Sequence, residues 1–183
     1  LAHEFRYRDP IVNEKTLIVA LSQSGETMDT LMAVRHAREQ GAKVISICNT
    51  HGSTLPRESD AALYTHAGPE IAVASTKAFL AQITAAYLLG LYLAQLRGNK
   101  YKDEISAILG ELQKMPAKIQ KVIDNDTLVK ELGAEMKDTS SVIFLGRHVG
   151  FPVALEGALK LKEISYIHAE GFAAGELKHG PIA

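Results

Sequence analysis

The stretch Thr16–Thr30, TLIVALSQSGETMDT, constrains the fold more than any other part of the chain. Its first half, Thr16 to Ser22, is apolar without alternation, as in a strand buried on both faces. The strand ends in Ser22-Gln23-Ser24-Gly25-Glu26-Thr27, and helical spacing begins at once. Leu31, Met32, Val34 and Ala37 fall on the inward face of a helix from Thr27 to Gln40, with Gly41 as its stop. Lys43 to Cys48 reads as a second strand. Strand, polar turn, helix and strand in that order make a βαβ unit with a parallel pair of strands.

The turn between the first strand and the helix has the chemistry of an anion site. Backbone N–H groups at a helix N-terminus lack intrahelical partners and carry a partial positive charge, so a phosphate there meets both donors and a dipole. Ser22, Ser24 and Thr27 add three hydroxyls, and Gly25 lets the backbone approach a ligand closely. An ordinary Ser/Thr N-cap with a glycine turn is the alternative, although one cap uses one hydroxyl and not three. No P-loop lysine follows the glycine and no G-x-G-x-x-G is present, which favours a small monophosphate ester over a nucleotide.

Composition narrows the field further. At 183 residues and 46% hydrophobic content the chain is globular and can bury one good core or two half-sized ones. Lys plus Arg is 20 against 21 for Asp plus Glu, so no summed field attracts nucleic acid or anionic lipid, and neither is expected as a partner. The single cysteine, Cys48, excludes an internal disulfide and a cysteine metal cluster and suits a reducing cytoplasm; strand packing is its expected role. The opening residues LAHEFRYRDP lack the features of a signal peptide and read as the interior of something larger. Ala78 to Leu96 is uncharged and reaches the length of a membrane span. Gln82, Thr84, Gln95 and the many alanines make it read instead as a core helix of an α/β protein.

The pattern then repeats. Asn49 to Asp60 is polar with a short helical turn, Ala61 to Thr65 is a third short strand, and a long helix runs from Thr76 to Arg97. Tyr101 to Ile123 places Ile105, Ile108, Leu109, Leu112, Met115, Ile119 and Val122 at helical spacing, broken at Met115-Pro116, as in a connecting helical hairpin. A helix from Leu128 to Met136 and a strand from Ser141 to Leu145 open a second α/β unit. The expected organisation is residues 1–100, a first unit; 101–137, a helical connection; and 138–183, the start of a second unit.

On the helix Phe151 to Tyr166, with Pro152 in its first turn, Glu156, Lys160 and Glu163 fall at i, i+4 and i+7. They occupy a stripe roughly 60° wide, flanked by Leu155 and Leu159 on one side and Val153 and Ile164 on the other. An ordinary salt-bridge ladder explains this pattern; so does a general base held beside an ammonium in a half-apolar cleft. The tail HAEGFAAGELKHGPIA reads as a loop, and its His179 is either a surface or core residue or an acid/base group working near neutral pH. No pair of histidines has helical metal-ligand spacing with a supporting carboxylate, and the reading calls for no cofactor.

LSQSGET, GPEIAVASTKAF, FLGR and ALEGALKLKEISYIHAEGFAAGELKHGP together resemble the sugar isomerase (SIS) domains of the isomerising glutamine:fructose-6-phosphate aminotransferase family. The resemblance spans nearly the whole chain. It implies an α/β fold of two SIS units, each a flavodoxin-like three-layer sandwich with a parallel sheet. It also implies a sugar-phosphate isomerase that works with a glutaminase domain, as a homodimer, to turn fructose 6-phosphate into glucosamine 6-phosphate. By motif position, Ser22, Gln23, Ser24 and Thr27 match the phosphate loop, and Val73 and Ser75 match contacts to the sugar. Glu163 matches the base that moves a proton between C1 and C2, Lys160 a lysine beside it, and His179 a histidine that helps open the sugar ring, delivered in the family from the neighbouring subunit. The family's glutaminase domain, the opening strand of its first SIS unit and its carboxy-terminal lysine have no counterpart between Leu1 and Ala183. The chain is therefore expected to be a fragment, inactive alone. A sugar-phosphate sensor module and a SIS deglycase are the alternatives.

Overall fold

The computed structural model describes residues Leu1–Ile182. They form two units, Leu1–Ser106 and a second beginning at Ala107. In the first unit, β1 (Leu17–Ser22), β2 (Lys43–Cys48) and β3 (Ala61–Tyr64) form one parallel sheet in that order. The register pairs Leu17 with Lys43 and Ser22 with Cys48, and Ile45 with Ala61. Because all three strands run the same way, their carboxyl ends open on one edge, and the loops that follow them lie together there.

Side chains alternate across a strand, so Ala20, Ser22, Val44, Ser46 and Cys48 face one side of the sheet. On that side α2 (Met28–Glu39) and the short α3 (Thr54–Arg57) close the core, where Ala20, Leu31, Val34, Val44 and Leu55 are buried together with Ile18 against them. The inward face of α2 differs by one residue from the expected one: Ala33 is buried and Met32 only half-buried. A second alanine beside Ala37 lets the helix lie closer to the sheet than a methionine in that position would. Cys48 is fully buried in β2, as a packing residue should be.

On the opposite face α4 (Lys77–Leu96) approaches β2, where Ile47 is fully buried. On edge strand β1, Leu17, Val19 and Leu21 remain 36–45% exposed, and an apolar hollow of about 410 Å³ between α1 (Ala2–Tyr7), β1 and α2 is lined by Leu1, Phe5, Leu17 and Val34. The expectation of a core helix is not met by α4. Only Ala78, Leu89 and Leu91 are buried in it, while Ile83, Tyr87, Leu88, Tyr92 and Leu96 are exposed. It is apolar nearly all round, and a single sheet can cover only one side of such a helix. It is also long and apolar enough to cross a membrane by length and composition. After it, α5 (Lys102–Leu112) buries only Ile105.

In the second unit, α6 (Met115–Asp124) and α7 (Thr127–Met136) bury no residue among those described. Then β4 (Ser141–Gly146) and β5 (His168–Ala173) form a parallel pair, Ser141 opposite His168, joined by α8 (Gly150–Ser165). β5 corrects the reading of residues 168–183 as a loop. Its glycine-rich sequence lacks the bulk of an ordinary strand because α8 lies directly on it: a Cβ on Gly171 would come within 2.9 Å of Leu155 Cα. The turn into α8 is equally tight, since a Cβ on Gly146 would meet the Gly150 carbonyl oxygen at 2.0 Å. A 3-10 turn, Ala174–Glu176, follows β5.

Candidate functional site

The loop after β1 is built by its own polar groups. Ser22, 7% exposed, accepts a hydrogen bond from Gly25 N at 2.9 Å, and Ser24 Oγ accepts one from Glu26 N at 3.2 Å. Gly25 adopts φ +72°, and a Cβ there would lie 2.0 Å from Ser53 Oγ and 2.9 Å from Cys48 Sγ, so glycine is required by both backbone and space. The Gln23 carbonyl accepts from Asn49 N at 3.3 Å and Thr50 N at 3.2 Å, and the Gly25 carbonyl from Leu55 N at 2.9 Å. The loop is thereby tied to the end of β2 and to α3.

Thr27 is the N-cap of α2, and among the described residues no side chain caps the helix. The first N–H groups of α2 are therefore unsatisfied by side chains and carry the positive end of the helix dipole. Glu26, an acid in an otherwise anion-attracting loop, is turned aside: Thr54 N donates to its carboxylate at 2.7 Å. The hydrogen bonds from Thr54 hold that carboxyl below the ordinary carboxylate range. Val73, 98% exposed, and half-buried Ser75 lie in the segment between β3 and α4, beyond the carboxyl end of the same sheet.

In the second unit Lys160 reaches both carboxylates of its stripe, Glu163 Oε2 at 2.6 Å and Glu156 Oε1 at 3.5 Å. Burial disfavours its charge, but the hydrogen bond to Glu163 and the charges of Glu156 and Glu163 outweigh that and raise its pKa above the ordinary lysine value. Glu156 and Lys160 are half-buried and Glu163 is exposed, whereas the flanking Val153, Leu155, Leu159 and Ile164 are all exposed. Glu156 and Lys160 are thus less accessible than the apolar borders of the stripe, unlike residues of an ordinary solvated face. His179 sits in the turn after β5, with Nδ1 at 2.8 Å from Glu176 Oε2, and both side chains are well exposed. Among the described residues no group of three or more His, Cys, Asp or Glu is placed to hold a metal ion.

Sequence reasoning missed Asn49, which is 8% exposed and joins three segments of the strand-end loops. A polar residue directly after the apolar strand Lys43–Cys48 is the signal that could have found it.

The family model described as SIS domain matches residues 1–92 and 135–183. The chain is 82% identical over all its 183 residues to the glutamine--fructose-6-phosphate aminotransferase [isomerizing] of Corynebacterium efficiens, of which it covers 29%. It is 67% identical, again over its whole length, to 29% of the protein of that name from Mycobacterium tuberculosis. The chain thus spans under a third of the curated relatives it matches. Among solved structures, the C-terminal domain of glucosamine-fructose-6-phosphate aminotransferase from Francisella tularensis superposes with a TM-score of 0.95 at 46% identity, covering 99% of this chain, α4 included, and 51% of that one. A putative phosphosugar isomerase from Clostridium difficile 630 gives a TM-score of 0.89 at 25% identity over 96% of this chain and 50% of its own.

Proposed function

The chain belongs to the SIS domain family, and on that premise we propose that it is the sugar-phosphate isomerase portion of a glutamine-dependent aminotransferase making glucosamine 6-phosphate from fructose 6-phosphate. The observation that carries the reading is the Ser22–Thr27 loop: a hydroxyl-rich turn at the carboxyl end of a parallel sheet, opening onto a helix N-terminus that no side chain caps among the described residues. Such a turn suits the phosphate of a hexose 6-phosphate, with Ser22, Gln23, Ser24 and Thr27 around it. Val73 and Ser75 contact the sugar. Glu163 takes the C1 proton of the open-chain ketose and returns it at C2, Lys160 orients that carboxylate through its hydrogen bond at 2.6 Å, and His179 assists ring opening. Residues 1–100 are the first SIS unit, 101–137 the connection and 138–183 the start of the second, a division supported by the two segments of the family match. The working protein is a cytoplasmic homodimer carrying a glutaminase domain, in keeping with relatives of more than three times this length; it needs no cofactor.

The test is kinetic. In the full-length protein, Ser22→Ala with Thr27→Ala raises KM for fructose 6-phosphate, each lost hydrogen bond to the charged phosphate costing about 1.5–3 kcal/mol, without strict additivity. Unchanged kinetics in the double variant would remove the loop from the site.

A further inference from the structure

We propose that Asn49 is a positioning residue that locks the sugar-contact segment, residues 65–76, to the phosphate loop. Its side chain spends every polar group on that segment. Nδ2 donates to the Gly68 carbonyl at 2.7 Å, while Oδ1 accepts from Ala67 N and Thr65 Oγ1, both at 2.9 Å. A backbone N–H on one side and a backbone carbonyl on the other fix the amide orientation, so neither aspartate nor leucine can replace it without leaving a group unpaired. Its own N–H donates to the Gln23 carbonyl at 3.3 Å, inside the phosphate loop. One residue, 8% exposed, therefore joins the loop after β1 to the loop after β3. The far end of the segment is closed separately: Glu70 Oε2 accepts from Ala78 N at 3.3 Å and Oε1 from Thr76 Oγ1 at 3.5 Å, in the first turn of α4. Between these two ties lie Val73 and Ser75.

Asn49 touches no substrate in this scheme. It sets the distance between the groups that hold the phosphate and the groups that hold the sugar, so its loss is felt only by a ligand engaging both. The inference rests on the functional reading above.

The experiment compares two ligands in the full-length protein: fructose 6-phosphate as substrate and inorganic phosphate as competitive inhibitor. Asn49→Asp keeps both acceptor bonds and the backbone tie to Gln23 but sets an oxygen against the Gly68 carbonyl. It raises KM for fructose 6-phosphate about tenfold, the size of one lost buried hydrogen bond, and leaves the phosphate inhibition constant within about twofold. Thr65→Val, which removes one donor to Oδ1 at nearly constant volume, shifts the same ratio in the same direction by a smaller factor and remains informative where Asn49→Asp does not fold. A merely structural role lowers the active fraction and leaves both constants in place. The inference is overturned if both constants move together or if neither moves. An unaltered protein that neither turns over fructose 6-phosphate nor is inhibited by phosphate overturns the functional reading, and the inference with it.

Discussion

Gly25→Ala tests the construction of the phosphate loop independently of any ligand. Two costs add at this position. An L-residue at φ +72° is strained by about 1–2 kcal/mol. The new methyl would also lie 2.0 Å from Ser53 Oγ and 2.7 Å from Ser53 Cβ. Ser53 cannot swing away freely, because it is 5% exposed and its hydroxyl donates to the Thr50 carbonyl at 2.8 Å. Overpacking of that kind costs about 1–3 kcal/mol. The sum, roughly 2–5 kcal/mol, is a large fraction of the stability of an ordinary domain. The assay is urea unfolding together with amide hydrogen exchange at Asn49, Thr50 and Leu55, whose N–H groups bond the loop carbonyls. The expected result is a lower unfolding midpoint and faster exchange at those three amides. Adding Ser53→Gly removes the nearest clashing side chain and restores most of the overpacking share, leaving the 2.9 Å approach to Cys48 Sγ and the backbone strain. A single variant within about 0.5 kcal/mol of the parent, or a double variant no better than the single, would refute the reasoning.

Gly171→Ala sets a Cβ 2.9 Å from Leu155 Cα and 3.0 Å from its N, costing about 1–3 kcal/mol and exposing β5 amides to exchange, whereas Gly175→Ala, with nothing within 4 Å, is neutral. Asp60 is held below its ordinary range chiefly by the hydrogen bond from Val44 N at 2.8 Å, with Lys43 assisting. Its folded pKa lies below the unfolded one, so its stabilisation is present above the unfolded value and disappears as pH falls through the folded value; thermal unfolding of Asp60→Asn between about pH 5 and 2 loses that part of the acid limb. The exposed face of α4 and the open edge of β1 are expected to make the 183-residue chain self-associate. Light scattering checks this: Tyr92→Glu with Leu96→Glu lowers the apparent mass, and a monodisperse unaltered chain contradicts the prediction.

Where local chemistry dictates the backbone, the sequence was legible. The apolar run Leu17–Leu21, the hydroxyl-rich turn and the spacing of α2 announced the βαβ unit, and the structure places each within a residue or two of its expected bounds. Strand β5 was hidden because contact with α8 selects small residues there, and small residues read as loop. The burial of α4 could not be read from its composition, because an apolar sequence states that a helix needs cover and not which surface supplies it. In the site, Ser22, Ser24 and Thr27 were marked by their clustering. Asn49 was not, because its partners lie 16 to 26 residues away in sequence and meet it only when parallel strands bring their carboxyl ends together.

The central claim is that this fold moves a proton on a hexose 6-phosphate with Glu163 as the base, and solvent deuterium exchange at C1 of fructose 6-phosphate reports that step directly. In the full-length protein, Glu163→Gln is expected to lower the exchange rate by about two to four orders of magnitude while glutamine hydrolysis stays largely intact. Exchange at the native rate in the Gln variant would contradict the account.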